Sequence, residues 1–336
     1  MRTTPSLLSA GLAAVTGLIA FAPGSSSAQT PAAPAAVGAT RVAQWQGDRK
    51  GAFLMMFDDG CPSHVKNVIP ELKKRNLAGT FYIVPNKGEY KAKLAFWETE
   101  APAIPGILYG NHTFSHQGFT DPEQAEKEIA RANDLILKLF PGKSPRLISY
   151  ASPGGVKSAI TGDQLKTILA KHNLITRPTF QGHGGAIQFK TADDILKGVD
   201  KAMAGGGMEH VIFHGVGGDW ISFDLGQFTT LLDGLETRRG SLWITDPVSV
   251  HKYETERGTA KVAVAAADAQ QIRLELTCGA DAALYDQPLT LVTRVPAAWA
   301  KCQVTQGTQK LTVTADKGEV RFDARPNAGA ITLVPQ

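Results

Sequence analysis

The chain has 336 residues, a formal net charge of +4 and 20% charged residues. That length holds one large domain plus a small one. A charge this small, with Lys and Arg interspersed among Asp and Glu, excludes a nucleic-acid surface or an acidic tail as the organising feature.

The amino terminus has the layout of a secretory signal peptide. Arg2 supplies a minimal positive region, Leu7 to Ala22 an apolar stretch interrupted by Gly and Pro, and Ser26-Ser27-Ala28 a small-residue cleavage site. The expected division is 1–28 signal peptide and 29–44 Ala/Pro-rich linker, with 45–257 a barrel domain and 258–336 a C-terminal β-domain. Export to the periplasm or the extracellular space follows, with no stable membrane insertion after cleavage. Export also permits disulfides, and Cys278 and Cys302 are a candidate pair that leaves Cys61 unpaired.

From Ala52 short apolar runs alternate with amphipathic stretches. The strands expected are Ala52 to Phe57, Gly79 to Val84, Gly106 to Tyr109, Arg146 to Ala151, Leu174 to Arg177, His210 to His214 and Ser241 to Thr245. Helical patterns separate them at Val65 to Arg75, Ala92 to Glu100, Pro122 to Leu139, Thr161 to His172, Ala192 to Met203 and Leu225 to Arg238, several opened by Ser, Thr or Asp. Such alternation implies an α/β fold with a parallel sheet of about seven strands and helical crossovers, open or closed into a barrel. From Ala260 the pattern changes to Val/Leu/Thr alternation at Ile272 to Thr277, Leu289 to Val295, Leu311 to Thr314, Val320 to Phe322 and Ile331 to Val334. That predicts a small antiparallel β-sandwich-like domain.

The polar residues that stand out all follow expected strands. Asp58-Asp59 follow the first, Asn111 to His116 the third, Ser152 to Gly155 the fourth and His214 the sixth. The carboxyl ends of strands are where α/β folds assemble their sites, so these residues should converge. Two adjacent carboxylates repel unless a cation lies beside them. His112 and His116, spaced as H-x3-H, with one carboxylate give a His2Asp set that suits a divalent metal and leaves positions open for water and substrate. The other carboxylate is then placed to take a proton from water, and His214 to protonate a leaving group. Trp220, in a loop after the sixth strand, offers a flat face to a sugar ring or packs as a lid. His183 and His64 are further histidines near expected strand ends, and Cys61 reads as a small buried residue.

Phe57-Asp58-Asp59-Gly60, His112-Thr113-Phe114-Ser115-His116, Pro153-Gly154-Gly155 and Ile212-Phe213-His214, in that order, resemble the motifs of the polysaccharide deacetylase family, the NodB-homology carbohydrate esterases of family 4 type. The resemblance spans about Ala52 to Tyr253. It implies a distorted (β/α) barrel that removes acetyl groups from N- or O-acetylated carbohydrate, with Asp59, His112 and His116 holding a divalent metal, usually zinc. It also implies Asp58 as general base, His214 as general acid, and a backbone N–H at Gly154 facing the oxyanion. The partner implied is an acetylated glycan or oligosaccharide.

Two positions depart from the family, and one is Gly154, which stands where an aromatic residue is usual and leaves a backbone donor but no ring. The third motif normally opens with an arginine that pairs with the base carboxylate, and here Ala151 stands there. Either Arg146 or Arg177 reaches in instead, or the base is tuned differently. Ala151 keeps open a carbohydrate-binding protein on a catalytically decayed barrel, and neither spacing nor composition separates a sugar deacetylase from an amidase of a non-sugar substrate.

Overall fold

In the computed structural model of the chain, residues 36–178 and 189–336 are described. The expected signal peptide, residues 29–35 of the expected linker, and His183 lie outside the described residues.

The first barrel strand, β2 (Gly51–Asp58), is buried at every residue. Burial on both faces explains why it reads as a continuous apolar run instead of an alternating one. Phe53, Met55 and Phe57 face one core cluster, shared with helix side chains such as Ile69, Leu72, Phe228 and Leu231. Ala52, Leu54 and Met56 face a second cluster inside the curl of the sheet. The series of inward positions 52, 54, 56 ends at Asp58, which therefore points into the concave face.

β2 pairs in parallel with β3 (Gly79–Ile83), β7 (Met208–Phe213) and β8 (Leu242–Thr245). β7 and β8 both pair with residues 52–54 and so take opposite edges of β2. Beyond β3 the sheet continues through β4 (Ile107–Asn111), β5 (Ile148–Tyr150) and β6 (Leu174–Thr176), giving seven parallel strands as the sequence pattern requires. This curled sheet is the distorted (β/α) barrel. Tyr82 of β3 lies on the concave face, its hydroxyl 2.6 Å from Ser149 Oγ. Gly110 of β4 has to be glycine for that ring to fit, because a Cβ there would lie 2.4 Å from Tyr82 Cδ1.

Helices cover the convex face, and the longer ones begin where side-chain caps occur. Asp121 caps α3 (Pro122–Leu139), and a Thr161/Gln164 capping box opens α4 (Gly162–Lys171). Thr191 caps α5 (Ala192–Gly205) and Asp224 caps α6 (Leu225–Arg238). The stretch expected as helix at Val65 to Arg75 is a π-helical turn, His64–Val68, running into α1 (Ile69–Arg75). Ala92 to Glu100 is shorter helically than expected: α2 covers Gly88–Lys91 and a π-helical turn covers Phe96–Glu100. A last helix, α7 (Pro247–Thr259), capped by Asp246, has no counterpart in the sequence reading.

The C-terminal strands form two antiparallel sheets, one ordered β13-β12-β15-β10-β9 and one ordered β1-β11-β14. Their ranges are β9 Lys261–Ala267, β10 Ile272–Thr277, β11 Leu289–Arg294, β12 Lys301–Gln306, β13 Gln309–Thr314, β14 Glu319–Ala324 and β15 Ile331–Pro335. Ile272, Leu274 and Leu333 from one sheet and Leu291, Val320 and Phe322 from the other share the cluster that also holds Leu54, Met56 and Tyr253 of the barrel region. One strand comes from a place not expected to be ordered: β1 (Thr40–Val42), within the stretch read as linker, pairs with β11.

The Cys278–Cys302 bridge does not form, and all three cysteines are free. Topology separates the two, because Cys302 lies on β12, Cys278 follows β10, and β15 runs between those strands.

Candidate active site

Five of the sequence-predicted residues meet at the carboxyl end of the sheet. Asp58 ends β2 on the concave face. Asp59 has a left-handed backbone, φ +73°, and its N–H donates to Tyr82 O at 3.0 Å. That twist breaks the strand alternation, which would otherwise send neighbouring side chains to opposite faces, and lets both carboxylates turn toward one point.

His112 stands one residue past β4. Its Nδ1–H donates to Ala151 O at 2.9 Å, which leaves the lone pair of Nε2 facing the carboxylates. Burial pushes the His112 imidazole below its ordinary pKa despite the charge of Asp58, so the ring is neutral. His116 follows through a tight loop with left-handed backbone at Thr113 and at His116 itself. Asn111 Oδ1 accepts from Thr113 N, and Glu128 Oε2 of α3 accepts from Ser115 N, so the loop is held to both a strand and a helix. The H-x3-H spacing acts here through a pinned loop, not a helical turn.

Asp59 Oδ1 lies 3.9 Å from His112 Nε2 and 3.5 Å from His116 Nε2. The ligand atoms of the three residues all fall within 4.8 Å of one another. Asp59 Oδ1 is buried and accepts no well-aligned hydrogen bond from the described residues, its charge being met by Lys87 Nζ at 2.9 Å, so the oxygen is one that draws a cation. The donor set, one carboxylate and two imidazoles, fits a divalent metal of the zinc type.

The arginine absent from position 151 is supplied from the next strand. Arg177 donates to both oxygens of Asp58, Nη1 to Oδ1 at 2.5 Å and Nη2 to Oδ2 at 2.9 Å. The register of β5 with β6 pairs Tyr150 with Thr176, so the positions that follow, Ala151 and Arg177, stand side by side. Arg177 N–H donates to Tyr150 O at 2.9 Å, which continues that register. The small side chain of Ala151 leaves room for the guanidinium, which also lies 4.7 Å from the centroid of the Tyr82 ring. Burial pushes the Asp58 carboxyl up, but the charge and hydrogen bonds of Arg177, with His112 and His214 nearby, outweigh it and hold Asp58 well below the usual carboxylate range. Arg146 does not reach the site; it lines a separate cavity beside Tyr109 and Phe140.

His214 is half-buried one residue past β7, its Nε2 3.9 Å from Asp58 Oδ2 and 3.9 Å from Asp59 Oδ2. His64 holds it from behind: this fully buried ring donates Nε2–H to His214 O at 2.5 Å. Burial lowers the His64 pKa to about 4, so it stays a neutral support. The loop after β7 is fastened as well, by Ser63 N–H to Asp219 Oδ2 at 2.7 Å and Asn67 Nδ2 to Val216 O at 2.7 Å. That loop presents Trp220, whose ring lies 4.5 Å from Lys87 Nζ. Gly154 is exposed in the turn after β5, with open space where a side chain would project. Cys61 is buried, its thiol pushed up first by burial, and is no ligand.

Residues 46–172 match the family model described as polysaccharide deacetylase. That stretch, less than half of the chain, is similar to the polysaccharide deacetylase family. The matched stretch holds both carboxylates and both histidines of the candidate metal site, and it ends before Arg177 and His214. A gellan lyase from Bacillus sp. is 25% identical over 342 residues, covering 89% of this chain, which spans 13% of that relative's length. Among solved structures, a family 4 carbohydrate esterase from Streptomyces lividans in complex with acetate is similar at 19% identity, covering 58% of this chain and 92% of that one, with a TM-score of 0.42. The peptidoglycan deacetylase PdaC from Bacillus subtilis is similar at 17% identity, covering 60% and 90%, with a TM-score of 0.39.

Sequence reasoning did not single out Lys87 and gave His64 no defined part. Both follow the rule that found the other residues, since Lys87 comes after β3 and His64 after β2. They lack a motif partner nearby in sequence, and only the fold supplies one.

Proposed function

We propose that the protein is an exported metal-dependent hydrolase that removes acetyl groups from an N- or O-acetylated carbohydrate. The observation that carries this reading is the grouping of Asp59 Oδ1 with the Nε2 atoms of His112 and His116, directly beside an ionised Asp58 and beside His214. A divalent cation held by Asp59, His112 and His116, zinc being the best match to the donors, would polarise an acetyl carbonyl and acidify water. Asp58, kept ionised by Arg177, takes the proton of the attacking water. Both its oxygens are already engaged by the guanidinium, so it is a weak base, useful only toward water acidified beforehand. His214 gives a proton to the departing amine or alcohol. Gly154 N–H faces the oxyanion and Trp220 packs against a sugar ring. Export rests on the amino-terminal pattern at residues 1–28, and no described helix is long and apolar enough to cross a membrane.

The test is acetate release from acetylated chitooligosaccharide and from acetylated xylan, with zinc present, for wild type and Asp58→Asn. Release by wild type and its loss in the variant is the expected result. No release from any acetylated glycan by a protein that binds zinc would overturn the reading and favour the decayed, glycan-binding alternative.

A further inference from the structure

Lys87 closes the turn after β3 and precedes α2, and its half-buried side chain reaches back into the site. Its Nζ lies 2.9 Å from Asp59 Oδ1. That is the same oxygen that faces the imidazoles of His116 and His112. Since Oδ1 accepts no hydrogen bond among the described residues, the lysine serves it by charge. Nζ also lies 4.5 Å from the centroid of Trp220, a second seat for an ammonium.

We propose that Lys87 is an internal counter-cation for Asp59 that a divalent metal must displace, so that lysine and metal compete for one carboxylate oxygen. The inference rests on the metal-binding reading above. Two cations drawn to one buried oxygen repel strongly, because little water lies between them to screen the charge. The ammonium is the mobile member: it sits on a flexible four-carbon stem, is partly exposed, and has the face of Trp220 beside it. A buried carboxylate left without any cation would be costly, so Lys87 also supports the fold while no metal is bound. An ordinary ion pair at the rim of a cleft would stabilise the protein and leave metal affinity unchanged, and this separates the two cases.

The experiment is calorimetric titration of metal-stripped protein with zinc, paired with melting temperatures with and without zinc, for wild type, Lys87→Met, Lys87→Gln and Lys87→Arg. The two neutral variants should bind zinc about tenfold more tightly than wild type, since removing a competitor strengthens binding by the coupling between them. They should also melt lower than wild type when stripped and gain more on adding zinc. Lys87→Arg, which keeps the charge, should stay near wild-type affinity. Zinc binding by wild type with equal or weaker binding by both neutral variants would overturn the inference alone. No zinc binding by any of the four proteins would overturn it together with the metal reading.

Discussion

At the scale of single residues, the pairing of Asp58 with Arg177 decides how the site is tuned. Removing one partner of a buried ion pair leaves an uncompensated charge, so Arg177→Met should lower stability by about 3–5 kcal/mol and activity by roughly a hundredfold. Because Ala151 and Arg177 directly follow the paired residues Tyr150 and Thr176, the double variant Ala151→Arg, Arg177→Met moves the cation to the neighbouring position after β5. It should recover more than half of the lost melting temperature and a measurable part of the activity. A double variant no better than Arg177→Met would show that the guanidinium is needed from β6. The sequence pointed to the vacancy at Ala151 and offered two arginines to fill it. It did not choose between them, because the choice depends on strand register: Arg146 precedes β5 and Arg177 directly follows β6.

At the scale of elements, strand ends and the loops after them were legible because each strand reads as an apolar run that stops at a polar residue. The loop after β7 was legible only as a glycine-rich stretch. Its structure comes from bonds that no local pattern encodes, such as Gly215 N to Trp220 O and Phe223 N to Gly215 O. A Cβ at Gly215 would lie 1.9 Å from Gly218 O, so Gly215→Ala must shift the backbone that carries Trp220. The expected outcome is a several-fold rise in KM and a fall in kcat, with zinc affinity unchanged because no metal ligand lies in the loop. Unchanged kinetics would show that neither Trp220 nor His214 depends on that loop for its position. The helix α7 and strands β9 and β12 escaped the sequence reading for a related reason. β9 is an Ala-rich run exposed at nearly every position, and β12 mixes Lys, Gln and Thr with only Cys302 and Val304 buried, so neither shows a clear apolar pattern.

At the scale of the whole molecule, the barrel and the C-terminal sheets share apolar contacts, and Glu256 lies buried where they meet. It accepts from Gln287 N at 3.0 Å. Burial, reinforced by the nearby charge of Asp286, raises its pKa from 4.5 to about 7, against the opposing pull of Gln287, Lys252 and Lys143. A carboxyl whose folded pKa is raised costs no stability below pH 4.5, where both states are protonated, and progressively destabilises as pH rises toward 7. The melting temperature of Glu256→Gln relative to wild type should therefore rise by about 2–4 °C per kcal/mol removed between pH 4 and pH 8. A difference that does not change with pH would refute the assignment. Residues 36–257 produced alone should expose the Leu54, Met56 and Tyr253 side of their core, bind a hydrophobic dye and aggregate. A soluble, cooperatively melting fragment would show that the barrel stands by itself.

The pairing of Thr40–Val42 with Leu289–Arg294 has a consequence for how the molecule is made. A chain synthesised from its amino terminus presents β1 early, and its hydrogen-bonding partner is not translated until most of the remaining sequence has followed. Domains usually fold as they emerge, but here the three-stranded sheet closes only after β11 and β14 are both available. Until then the concave apolar residues of the barrel lack their cover. The protein thus keeps apolar barrel surface uncovered through most of its synthesis.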